Sequence, residues 1–175
     1  MIISIVSFLA SVYMVFRREM LAPLFGFLGL LFMWLSGLLP LNGTIIIMWL
    51  CMSVLVMVVP MLQTQEMRSL KAGKGYMLVG ALTGMAVGLL GFSFAGSLSL
   101  LYGIMIVAVL AGTFFGFVLF SNTPKGRPYA LARRGSFSYL LAKGFPIAIT
   151  VMEIGVIFVL LLAVTNADRL AAAAA

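Results

Sequence analysis

Histidine is absent from this 175-residue sequence, cysteine occurs once, and only four residues are acidic: Glu19, Glu66, Glu153 and Asp168. Without an imidazole, Ser–His hydrolysis, haem ligation through His and most metal sites are excluded. No two of the acids have the spacing of a carboxylate pair for metal-dependent phosphoryl chemistry. Cys51 has no second thiol with which to close an internal disulfide. The sequence "AGKG" (72–75) lacks the spacing of a phosphate loop, and no strand pattern precedes it. The chain is therefore expected not to be an enzyme and to need no cofactor or metal.

Charge of either sign is scarce, at 9% of residues, while 64% are hydrophobic. The mean hydropathy of +1.24 lies far above that of a soluble domain. These values predict an all-α integral membrane protein. The formal net charge of +7 does not point to nucleic acid, because the basic residues interrupt apolar runs instead of sharing a soluble face.

A helix needs about 20 apolar residues to cross ~30 Å of hydrocarbon, with ~17 as a lower limit. Six stretches approach or exceed that length, near 1–16, 21–41, 44–62, 76–94, 97–120 and 145–165. "MIISIVSFLASVYMVF" reads as the first spanning helix, and no removable signal peptide is expected. "LPLNGT" (39–44) reads as a tight turn. "GFSFAGS" (91–97) is a weaker break and leaves open one interrupted segment in place of helices 4 and 5. Residues 1–170 are expected to form one transmembrane domain. The poly-Ala tail, 171–175, is unlike the rest of the chain and carries no function in this reading.

The basic residues set an orientation. Arg17 and Arg18 follow the first stretch, Arg68, Lys71 and Lys74 the third, and Lys125, Arg127, Arg133, Arg134 and Lys143 the fifth. Only Arg169 falls on the other side. Lys and Arg are retained on the cytoplasmic side during insertion, which predicts a polytopic bundle of about six spans with both termini outside and minimal loops. A bacterial inner membrane is the expected location. Inverted three-helix repeats are a common plan for such bundles, but the two halves here show no sequence correspondence.

Three features could carry function. Gly80, Gly84 and Gly88, and Ala108, Gly112 and Gly116, recur every four residues and give two helix faces without bulk. Such faces serve packing between helices 4 and 5, or else seat a partner or line a path. The segment 121–144 mixes Tyr129, Phe137 and Tyr139 with Arg127, Arg133, Arg134 and Lys143. Rings and cations side by side suit a short interfacial helix meeting anionic lipid headgroups, or a docking surface for a partner.

The third feature is Glu153, the one acid in the middle of "FPIAITVMEIGVIFVLLLAV" (145–164). A carboxyl at helix centre costs about 2.5–3.5 kcal/mol on insertion scales and faces a bundle interior or a wet cavity. With no cation nearby, desolvation favours the neutral acid. Thr150, one turn earlier, is the plausible local partner, with Tyr13, Ser53, Thr83, Tyr102 and Thr113 as candidates from other helices. Two roles fit: a protonated Glu153 that fixes helix 6 by a hydrogen bond, or a Glu153 that exchanges a proton or cation. The reading that follows is a non-enzymatic subunit of a larger membrane complex handling ions or small solutes. A self-sufficient small transporter or channel, oligomeric and coupled through Glu153, is the alternative.

Overall fold

A computed structural model describes residues 2–37, 42–61, 73–90, 98–128 and 133–174. The described chain is helical, without strands: α1 (Ile2–Arg17), α2 (Ala22–Leu35), α3 (Gly43–Met61), α4 (Lys74–Leu90), α5 (Leu98–Ser121), α6 (Arg133–Tyr139) and α7 (Phe145–Ala174). A π-helical turn, Leu140–Gly144, joins α6 to α7, so that they form one continuous last helix and the described residues make six helices. Two are long and apolar enough to cross a membrane by length and composition, Leu100–Ser121 and Ser136–Leu160. At 16, 14 and 17 residues, α1, α2 and α4 are shorter.

Helix α7 is the centre, packing against α1, α2, α3, α4 and α5. On one side, α1 and α2 form a hairpin whose turn is closed by the Leu21 N–H donating to Arg18 O at 2.9 Å. Pro23 lies in the first turn of α2, where a missing N–H is tolerated. On the other side α4 and α5 run antiparallel along their small-residue faces. A Cβ on Gly80 would overlap the Gly112 carbonyl, one on Gly84 the Ala108 carbonyl, and one on Gly116 the Tyr76 carbonyl. Backbones this close leave room for hydrogen alone. Gly80, Gly84, Gly88, Gly112 and Gly116 thus pack α4 on α5, which are two separate helices; the break at 91–97 lies outside the described residues.

Two expectations are corrected. The second apolar stretch was expected to run from 21 to 41, but α2 stops at Leu35, after a rise of ~21 Å. Gly37 takes φ +71°, and its N–H donates to Trp34 O at 3.0 Å, ending the helix with the left-handed turn that glycine allows. Hydropathy alone does not register such a stop. The end of the segment 121–144 is likewise not a separate interfacial helix. Tyr139 is fully buried, stacked on Phe120 with centroids 5.6 Å apart, and Lys143 is buried too. Pro146 has no N–H to give Ala142, and the turn before it widens, the Phe145 N–H reaching Leu140 O. The helix thereby continues through a proline that reads in sequence as its start.

The outer faces are strongly apolar, and several polar side chains lie within an otherwise hydrophobic interior. On α1, Ile2, Leu9 and Ile3 are 77%, 66% and 59% exposed, while Ser4 and Ser11 are buried. The outer faces of α3 and α5 likewise expose Ile47, Leu55, Val107, Phe114 and Phe115. Glu19, Ser53, Lys74, Thr113, Lys143, Thr150 and Glu153 are buried.

Candidate functional site

Glu153 is completely buried where α7 meets α1, α2 and α3. Its Oε1 lies 2.8 Å from Ser53 Oγ, which is also 2.8 Å from the Trp49 carbonyl one turn back on α3. A hydroxyl has one hydrogen and can accept two. With Glu153 neutral, the acid donates through Oε1 to Ser53 and Ser53 donates to Trp49 O, so that Oε1 and the Ser53 hydroxyl are both satisfied. With Glu153 ionised, Ser53 turns its hydrogen to Oε1 and leaves the Trp49 carbonyl to its helical bond.

The other carboxyl oxygen has no partner among the described residues. It points at Gly26 of α2: a Cβ there would overlap Glu153 Oε2 and stand 3.3 Å from Ser11 Oγ. The Ser11 hydroxyl donates to Ala22 O at 2.7 Å, across the α1–α2 hairpin. One helix supplies the acid, two supply hydroxyls and a fourth supplies bare backbone. Thr150, expected as the local partner, instead donates to Pro146 O at 2.8 Å. Thr113 bonds its own helix at Val109 O, Thr83 does so at Gly80 O, and Tyr13 is exposed.

A second polar cluster closes one end of the bundle. Glu19, in the α1–α2 turn, accepts hydrogen bonds from Lys74 at the start of α4 on one oxygen and from Lys143 in the π turn on the other. All three are buried. Burial acts to raise the Glu19 carboxyl, but the hydrogen bonds from Lys143 and Lys74 outweigh it and hold the group below the usual carboxylate range. Sequence reasoning missed this cluster. Its signal was an acid among bases at one helix boundary, but the lysines are 55 and 124 residues away along the chain.

Of the basic loop residues, Arg127 is exposed. Lys143 is not, because it is turned inward to Glu19. Arg133 and Arg134 open α6, and their side chains lie outside the described residues, as do Arg68 and Lys71. Lys143 therefore does not share a surface with Arg127. Comparisons with protein-family models, with curated proteins and with solved structures return no match for this chain.

Proposed function

We propose that this protein is an integral membrane bundle that spans the bilayer about six times, with both termini outside. It works without enzymatic chemistry as a subunit of a larger inner-membrane complex that handles ions or small solutes. Glu153 is its exchange group. Immersion is supported by the apolar surface: exposed apolar side chains on α1, α3 and α5 are far in excess of what a soluble monomer leaves in water. The orientation is supported by the ends that meet at Glu19, since the α1–α2 turn, the start of α4 and the turn before α7 are all on the side the basic residues assign to the cytoplasm.

The observation that carries the functional reading is the half-satisfied carboxyl. A residue kept only to tie α7 to α3 needs one hydrogen bond, and Ser53 supplies it. Glu153 has a second oxygen, buried and without a partner among the described residues, which lies in the space that a side chain on Gly26 would fill, beside Ser11. A buried oxygen without a partner costs about 1–3 kcal/mol, and sites that exchange protons or ions tolerate that cost.

The enclosure of Glu153 by four helices of one chain favours a second reading, a self-sufficient transporter, because no other subunit is needed to complete the site. Purification in mild detergent separates the two, with stoichiometric foreign chains expected for a subunit and a homo-oligomer for a transporter. In either case the preparation, reconstituted in liposomes, should lose proton or cation flux on Glu153→Gln with assembly intact. Unchanged flux would reduce Glu153 to a structural hydrogen bond.

A further inference from the structure

The groups around Glu153 Oε2 define what can replace its proton. On the α1–α3 side these are the bare backbone of Gly26 and the Ser11 hydroxyl, with the Ser53 hydroxyl on the other oxygen, Oε1. On the opposite face of α7, at Gly155, the neighbours are Met85 of α4 and Met105 of α5, which offer no oxygen. The charged groups nearest along α7 begin at Lys143, ten residues back, and Lys143 is held by Glu19. Among the described residues Glu153 is thus the one titratable group at this junction. When it ionises, Ser53 can donate to Oε1 while the Ser11 hydroxyl is engaged with Ala22 O, and Oε2 is left as a buried negative oxygen with no donor among the described residues. A charge so placed requires a counter-charge or falls back to the neutral acid.

From this we infer that the junction of α1, α2, α3 and α7 is a binding site for a small monovalent cation that exchanges with the Glu153 proton. Its ligands are the Glu153 carboxylate and the hydroxyl oxygens of Ser11 and Ser53. The inference deepens the reading above and rests on Glu153 as the exchange group. One positive charge on one carboxylate leaves the interior neutral, as the proton does. A divalent ion would leave an uncompensated buried charge, and no group of three or more acids or thiols that could hold a divalent or transition metal occurs among the described residues. Hydroxyl and carboxylate oxygens are hard ligands, suited to an alkali ion. A side chain on Gly26 would overlap Oε2 itself and stand 3.3 Å from Ser11 Oγ, so the bare glycine is what lets the carboxyl oxygen sit beside the Ser11 hydroxyl. The exchange is balanced, since each cation bound at Oε2 releases one proton from the carboxyl.

The probe is sodium chloride against choline chloride at equal ionic strength, read as the thermal unfolding midpoint of the detergent-solubilised protein over a series of pH values. Sodium should raise the midpoint, and the half-saturating concentration should rise tenfold per pH unit on the acid side, where a proton must leave for the ion to enter. Ser11→Ala should weaken the sodium effect at least fivefold, and Glu153→Gln should abolish it. Identical midpoints in sodium and choline at every pH would overturn the inference, as would a sodium effect that survives Glu153→Gln. Should Glu153→Gln fail to fold, Ser11→Ala decides: an unweakened effect places the ion elsewhere. Loss of proton flux in Glu153→Gln without any sodium effect would sink the cation site and leave Glu153 as a proton carrier.

Discussion

Glu153 Oε2 occupies the space that a side chain at Gly26 would need. Two helices that are distant in sequence are fitted to each other through one carboxyl oxygen and one missing methyl. Gly26→Ala should therefore act on the acid, either by displacing its carboxyl or by separating α2 from α7. Overpacking of this kind costs about 1–3 kcal/mol. The expected result is a lower unfolding midpoint together with loss of flux. Gly103→Ala is the control: a Cβ there meets nothing within 4 Å, and alanine is the better helix former by roughly 1 kcal/mol, so its midpoint should hold or rise.

Ser53→Ala removes the partner of Glu153 Oε1. Stranding a buried polar group costs about 1–3 kcal/mol, and thermal unfolding should show a loss in that range. Thr150→Ala removes only a bond to Pro146 O within the same helix and should cost less. Equal losses would mean that the contact between α3 and α7 contributes nothing beyond local helix stability.

Glu19 joins the α1–α2 turn to α4 and α7, and Glu19→Gln removes the carboxylate to which both ammonium groups bond. Breaking a buried ion cluster by removing one partner costs about 3–5 kcal/mol. Because the Glu19 carboxyl sits below the usual range when folded, its contribution is complete above the ordinary Glu value and is lost as the pH falls through the lowered one. The difference in unfolding midpoint between wild type and Glu19→Gln should therefore be constant near neutrality and shrink in acid. A difference that grows with acidity would have the wrong sign for this linkage.

The α4–α5 contact is backbone on backbone. A Cβ on Gly80 or Gly112 meets a carbonyl oxygen that has no freedom to move aside, so even Gly112→Ala should destabilise, and Gly112→Leu should prevent a compact monomer on size exclusion in detergent. Gly75→Ala, on the same helix pair but with open space around it, should be silent.

The glycine periodicity of helices 4 and 5 was legible in the sequence because a four-residue repeat of small residues on two neighbouring helices has a direct geometric meaning. Glu153 was legible as well, since a lone acid in an apolar run stands out without reference to the fold. Its partner, Ser53, was legible only as one of five candidates from other helices, behind Thr150. Thr150 has the right spacing, yet its hydroxyl is taken by the carbonyl one turn back, while Ser53 reaches Glu153 across 100 residues of chain. The Glu19 cluster was hidden for the same reason, because pairing between helix ends depends on which ends meet. The early stop of α2 depended on the positive φ of one glycine, Gly37, in a run that hydropathy treats as continuous.

The orientation is open to a direct check. A cysteine introduced at Asn42, in place of the native Cys51 changed to serine, should be labelled by an impermeant reagent from outside the cell. Labelling only from the cytoplasmic side would reverse the bundle.

The central claim is that Glu153 gains and loses a proton inside the bundle. Infrared difference spectra of the protein in lipid, recorded on imposing and collapsing a pH gradient, test it most directly. The account predicts a carboxylic-acid carbonyl band that changes amplitude with the gradient in wild type and is missing in Glu153→Gln. A band assigned to Glu153 that stays constant under every gradient would contradict it and make Glu153 a fixed hydrogen bond between α7 and α3.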